Sequence, residues 1–274
     1  MTLCFGFGQT IDTALSVPGT ISGGGDVGIT IRAAPPHSID GAPLYARDGD
    51  TLVFSAPDIA TYRCAAGGLE VAPCPHADPA AVTGLLIATA LPAVLWMQGR
   101  LMLHAAGVVM PGSETALAIV GPSGSGKSAL AAQLLERGAW LLGDDSLTLE
   151  LTDMGVMASG LPGGLHRVTG PESVRAFDAI AEEHSVRAAP LGAIIVLTGR
   201  ADRVAVTPLN QTAALEQVLA HQHRPRIPAA LGLSGAVLAQ AAQIAARVPV
   251  QLWQRVEGQV ALSDEELSFL RQAN

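Results

Sequence analysis

Gly121-Pro122-Ser123-Gly124-Ser125-Gly126-Lys127-Ser128 decides how this chain is read. The stretch satisfies G-x-x-x-x-G-K-[ST] at every fixed position. Its surroundings fit as well. Thr115–Val120 (TALAIV) reads as a short buried strand entering the loop, and Ala129–Arg137 (ALAAQLLER) as a helix leaving it. Glycines let such a loop curl so that successive N–H groups point inward, and those amides, with the positive end of the next helix, hold phosphates. Lys127 then reaches the β- and γ-phosphates, and the Ser128 hydroxyl sits on Mg²⁺. The expected nucleotide-binding residues are Gly121, Ser123, Gly124, Ser125, Gly126, Lys127, Ser128 and Ala129, with ATP and Mg²⁺ as the ligands.

Lys127 is the only lysine in the chain; the other fifteen of its 16 Lys and Arg residues are arginines. At this one position a compact ammonium replaces the planar guanidinium, which would not fit the same space around phosphates.

Composition bounds the rest. With 274 residues, 49% of them hydrophobic and 15% charged, the chain can bury a sizeable core. A net charge of −8 and the absence of a Lys/Arg-rich run argue against a nucleic-acid partner. Cys4, Cys64 and Cys74 form no metal-ligand spacing and point to a reduced, cytoplasmic setting. Ala80–Met97 is uncharged for eighteen residues, at the lower edge of a bilayer span. It contains Pro92 and lacks a flanking basic cluster, so it reads as a buried helix and no membrane is expected. A homo-oligomer is compatible with the sequence.

Along the chain, residues 1 to about 20 show no clear pattern. Val27–Ala33, Thr51–Ala56, Ala60–Ala65 and a strand after the Gly67-Gly68 turn suggest a small β-rich module over residues 1–78, ahead of a catalytic domain over 79–274. Pro35–Pro43 reads as loop, and Leu101–Met110 as one strand. Gly160-Leu-Pro-Gly-Gly reads as a flexible loop, Pro171 as a helix start, Leu191–Thr198 as a core strand and residues 229–247 as one helix. Asn210 or Thr212 caps a helix through Ala220, Val250–Val256 is a strand, and Ser263 opens a capping box.

Several residues could carry chemistry. Asp144-Asp145 ends the strand Ala139–Gly143, where a carboxylate beside a phosphate loop can hold Mg²⁺ or accept a hydroxyl proton; an Asp-Asp turn is the plainer reading. His104 lies just before the strand that feeds the loop and could equally be a hydrogen-bonded core residue. Arg224 and Arg226, in His221-Gln-His-Arg-Pro-Arg, form an arginine fork suited to a phosphate or peptide carboxylate, or else a solvated loop. Arg167 is a candidate of the same kind. His184, His221 and His223 read as surface residues.

The series Leu103-His-Ala-Ala-Gly-Val-Val, phosphate loop, helix ending Arg137-Gly-Ala, then Leu141-Leu-Gly-Asp-Asp resembles the HPr kinase/phosphorylase family over roughly residues 100–200. The resemblance implies an α/β phosphate-loop kinase core related to phosphoenolpyruvate carboxykinase. It implies Asp144 as the base on a substrate serine, Asp145 as an aid to Mg²⁺, and His104 near the transferred phosphate. The family's long segment beginning Arg-Gly is not recognisable; Gly160–Arg167 stands in its place. The layout is closer to HPr-kinase-like enzymes of peptide-modifying systems, including lasso-peptide kinases, which phosphorylate a serine of a precursor peptide. The expected activity is therefore an ATP-dependent serine kinase acting on a peptide or small protein. A small-molecule kinase, a carboxykinase-like enzyme, a phosphocarrier-protein kinase and a nucleotide sensor share the same loop.

Overall fold

Alternating side chains build the first sheet. The computed structural model describes residues 2–35, 45–169 and 174–273. Eight strands run through the first quarter of the chain: β1 (Thr2–Gly6), β2 (Gln9–Thr13), β3 (Ile21–Ser22), β4 (Val27–Ala33), β5 (Tyr45–Asp48), β6 (Thr51–Ala56), β7 (Ala60–Ala65) and β8 (Gly68–Pro73). They form one sheet in the order β3-β1-β2-β4-β8-β7-β6-β5. Successive strand residues face opposite ways, so Ile29 and Ile31, Leu52 and Phe54, Tyr62 and Cys64, and Leu69 and Val71 all fall on the buried face.

An apolar helical segment follows, as α1 (Pro79–Leu85), a π-helical stretch (Leu86–Ala90) and α2 (Leu91–Met97). Asp78 caps it by accepting from the Ala80 N–H at 3.0 Å, with Pro79 at the first helical position. The π stretch has a local cause. Pro92 has no N–H to give to the Ala88 carbonyl one turn earlier, and its ring crowds that carbonyl. His223 Nε2 and Arg224 Nε donate to the Ala88 oxygen instead, at 3.1 and 2.9 Å. By length and composition this 19-residue segment could cross a membrane. Leu91 to Trp96 are buried, and α2 packs against β7 and β8 on one side and the second sheet on the other.

The second sheet draws on β9 (Leu101–Leu103), β10 (Ala105–Val109), β11 (Ala116–Val120), β12 (Trp140–Gly143), β13 (Leu147–Thr152) and β14 (Gly155–Gly160). Between β11 and β12 runs α3 (Lys127–Glu136). A two-stranded ribbon follows, β15 (Gly164–Thr169) and β16 (Val174–Ala179), and then β17 (Ala189–Ala201) and β18 (Ala205–Pro208). The chain closes with α4 (Gln211–Ala220), α5 (Arg226–Ala230), α6 (Ser234–Arg247), β19 (Val250–Val256) and α7 (Asp264–Gln272). The strand order is β12-β10-β11-β17-β14-β13-β9; off this path, β19 pairs with β17 on the edge away from β11, and β18 pairs with β19. β17, the Val/Ile/Leu-rich centre, runs parallel to both β11 and β19. One buried cluster reaches from Phe7 and Ile11 through Trp96 to Leu147 and Val196, so the core runs unbroken across residue 78. A second cluster, with Leu130, Leu134, Leu267 and Leu270, backs α3.

Several expectations are corrected. The N-terminal residues form strands with Phe7 and Ile11 fully buried. The single strand expected over 101–110 is broken at His104, and its halves pair with different neighbours, β9 with β13 and β10 with β11 and β12. Residues 160–164 are no flexible loop: Leu161 is buried, and the Gly160 and Gly163 backbones bond to the N-terminal segment (Phe7 N–H to Gly160 O, 2.6 Å; Gly163 N–H to Gly19 O, 2.7 Å). A Cβ at Gly163 would stand 2.6 Å from the Thr20 oxygen, which explains the glycine. Pro171 lies outside the described residues, and Val174–Ala179 is a strand where a helix was expected. The expected helix 229–247 is two, because Gly232 takes a left-handed φ of 74° between α5 and α6. The loop expected over 35–43 lies outside the described residues but for Pro35.

Candidate active site

Sheet topology gathers the site at one end of the sheet. Ala105 pairs with Val120, so His104 stands beside the start of the glycine-rich loop. Gly107 pairs with Gly143 across the same strand, which brings the end of β12, and so Asp144-Asp145, to that end too. The start of β10 and the end of β12 thus converge on the loop.

The loop joins β11 to α3. Gly124 and Gly126 take left-handed φ values of 79° and 95°, conformations costly for residues with a Cβ. At Gly121 a Cβ would meet the Leu197 carbonyl oxygen at 2.8 Å. α3 begins at Lys127, so its unpaired N-terminal amides and positive dipole end lie at the loop. Lys127 is buried, and its Nζ donates to the carbonyls of Gly121 and Pro122 at 3.0 and 3.2 Å. Burial holds its pKa below the usual lysine value, against the pull of Asp145 and Asp144.

A cavity of about 490 Å³ opens over this loop. Ser123, Gly124, Gly126, Lys127, Ser128 and Ala129 form one wall, continued along α3 by Ala132, Gln133 and Glu136. His104, Asp145, Leu165, His166 and Asp178 form the other. Gly121 and Ser125 shape the loop without reaching the wall, and Ser125 Oγ is buried with no hydrogen-bond partner among the described residues.

The two aspartates sit differently. Asp144 has a side chain 1% exposed, and both its oxygens are engaged: Oδ1 accepts from Ser128 Oγ at 2.9 Å and Oδ2 from the His166 backbone N–H at 2.8 Å. Burial pushes its carboxyl pKa up, against those same hydrogen bonds. Asp145 is 22% exposed and faces the cavity, with Oδ1 3.6 Å from His104 Nε2. Its φ of 68° is left-handed, a conformation Asp tolerates better than most residues. His104 is held by its own N–H, which donates to the His221 carbonyl at 2.8 Å, and its ring lies edge-on to His223. Burial and then the Lys127 charge push the His104 pKa down to about 4, so the ring is neutral near pH 7.

The other candidates divide. Arg224 is exposed and spends its Nε on the Ala88 carbonyl, and neither it nor Arg226 lines the cavity. Arg167 has a described backbone, paired with Ala176 in the ribbon, while its side chain lies outside the described residues. His223 is buried rather than on the surface, and His221 is half-buried; His184 is exposed as expected. The residue that sequence reasoning missed is His166. Its ring lines the cavity against Phe177, and its backbone N–H orients Asp144. Its signal was the Gly-Gly-Leu-His turn into β15, which sets that N–H beside the acidic pair.

Oxygen donors suit a hard cation here, since Ser128 Oγ and the Asp144 carboxylate lie 2.9 Å apart. Among the described residues no cluster of three or more His, Cys, Asp or Glu is arranged to hold a metal. Mg²⁺ commonly completes its shell with water and substrate phosphate oxygens and needs few protein ligands.

No family model matches this chain, and no curated protein matches it. Among solved structures it is similar to the Hpr(Ser) kinase/phosphatase from Coxiella burnetii, at 15% identity and a TM-score of 0.38, over 62% of this chain and 88% of that one. So slight a likeness carries no functional argument, which rests on the cavity.

Proposed function

We propose that this chain is an ATP-dependent kinase that transfers the γ-phosphoryl group to a serine hydroxyl of a peptide or small protein, a lasso-type precursor peptide being the substrate class its layout fits. One observation carries the reading: Lys127, Ser128, Asp145 and His104, brought together from separate parts of the chain, all line a single cavity. In this reading the loop amides and the N-terminus of α3 bind the triphosphate, and Lys127 leaves the loop carbonyls for the phosphate oxygens. Ser128 and a carboxylate of the pair would hold Mg²⁺, which when bound neutralises charge on the phosphates. The other carboxylate takes the proton of the acceptor hydroxyl. Positioning and fixed charge supply the acceleration, as in phosphoryl transfer generally. A reducing, cytoplasmic setting suits the three free cysteines.

The test is mass spectrometry of serine-containing peptides and small proteins incubated with the chain, ATP and Mg²⁺. The reading expects phosphoserine that depends on all three. Phosphorylation of metabolites alone would make this a small-molecule kinase, and ATP binding with no transfer would make it a sensor.

A further inference from the structure

The two aspartates are adjacent in sequence yet occupy different chemical positions. A base for an incoming hydroxyl needs an oxygen that the hydroxyl can reach. Asp144 has none: it is 1% exposed, absent from the cavity wall, and holds Ser128 Oγ with one oxygen and the His166 N–H with the other. Asp145 stands on the wall, turned there by its left-handed backbone, with His104 3.6 Å away. His104 is fixed in turn by the break between β9 and β10 and by the His221 carbonyl.

We propose that the pair divides its work in the order opposite to that implied by the family resemblance. Asp145, oriented by His104, receives the acceptor hydroxyl and its proton, while Asp144 is a positioning residue that acts through Ser128. The proposal rests on the kinase reading above. In the step, the serine O–H proton passes to an Asp145 oxygen as the serine oxygen bonds to the γ-phosphorus. The bond from that phosphorus to the β,γ-bridging oxygen breaks, its electron pair leaves with ADP, and Asp145 later releases the proton to water. Asp144 keeps the Ser128 hydroxyl turned toward the phosphate side, and His104 keeps the Asp145 carboxylate facing the acceptor.

The experiment compares Asp144→Asn, Asp145→Asn and Ser128→Ala by single-turnover transfer to a peptide substrate and by equilibrium binding of a fluorescent ATP analogue with Mg²⁺. Asp145→Asn is expected to lose transfer by about 10²–10⁴-fold, the usual range for a general base, with nucleotide affinity unchanged. Asp144→Asn is expected to weaken Mg²⁺-dependent nucleotide binding by about 10–100-fold, as loss of a supporting ligand contact does, and to regain transfer at saturating nucleotide. Ser128→Ala should share that binding defect, which separates it from misfolding of the buried Asp144 variant. His104→Gln, which keeps a donor, should retain more transfer than His104→Ala. The proposal is overturned if Asp145→Asn transfers normally, or if Asp144→Asn binds nucleotide like the wild type and cannot transfer at saturation. If the wild type itself transfers phosphate to no hydroxyl, the kinase reading fails and this one with it.

Discussion

The two walls of the cavity are built by opposite means. The phosphate-loop wall is one unbroken stretch, β11, loop and α3, in which neighbours in space are neighbours along the chain. The facing wall is collected from a strand break at His104, the turn after β12 and the β15–β16 ribbon. The first wall is shaped by local backbone rules: left-handed glycines, a helix N-terminus, a single lysine. The second is shaped by register, because the pairing of β10 with β11 and β12 decides which side chains meet the loop. In the kinase reading, phosphate binding is thus locally encoded, whereas the chemistry done on the phosphate depends on the whole sheet.

Breaking the first wall should have the largest effect. Lys127→Ala removes the only ammonium near the phosphates, and transfer should fall by at least about 10²–10³-fold, the cost of losing one preorganised charge-stabilising donor. Nucleotide affinity should fall with it, as a filter-binding or fluorescence titration would show. Retention of both would separate the loop from the activity.

The backing of that wall comes next. Arg255 Nε and Glu266 Oε1 pair at 2.7 Å with side chains 8% and 0% exposed, and Glu266 also closes the capping box of α7. Leu267 and Leu270 of α7 share a core with Leu130 and Leu134 of α3. Glu266→Ala leaves a buried arginine unpaired and should cost about 3–5 kcal/mol in a denaturant titration. A change under 1 kcal/mol, on the order of a surface pair, would show that the pair is solvated.

The second wall can be disturbed without touching the first. A Cβ at Gly143 would stand 2.8 Å from both the Gly160 Cα and the Leu161 N, all backbone, so Gly143→Ala must shift β12 and the acidic pair behind it. We expect about 1–3 kcal/mol of destabilisation, the range for overpacking, with transfer impaired more than nucleotide binding. Equal losses in both would mean that the walls are coupled.

The smallest effect expected is on pH. Burial first lowers the pKa of both His223 and His104, the latter to about 4, from an ordinary 6.5; around them stand Lys127, Asp145, His221 and Arg224. Below 6.5 the unfolded chain binds protons that the folded chain refuses. Stability is therefore complete above 6.5 and is lost as pH falls from there toward 4. Urea midpoints across that window should drop less steeply for His104→Gln than for the wild type. Parallel slopes would place the titration elsewhere.

What could be read from sequence follows the same division. The loop, the strand before it, the helix after it and the caps at Asn210 and Ser263 were legible, because each is decided by residues a few positions apart. His104 was legible as a candidate but not as a strand break, since Leu101–Met110 is apolar except for His104 itself and only pairing divides it. His166 escaped notice because its N–H, rather than a side chain in a motif, orients Asp144. Arg224 could be read as an anion binder or as part of a solvated loop; the carbonyl that occupies its Nε is opened by Pro92, far away in sequence. The first three strands were hidden for a related reason. Thr2–Gly6 has no clear alternation, and its pairing with Gln9–Thr13 and with Ile21–Ser22 supplies the order.

The most direct measurement is a crystal structure of the chain with Mg²⁺ and a non-hydrolysable ATP analogue. The account predicts the triphosphate on the loop amides, Lys127 Nζ on its terminal phosphates, and the γ-phosphate facing Asp145 across the cavity. A triphosphate seated away from Lys127, or a γ-phosphate turned from the Asp145 wall, would contradict it.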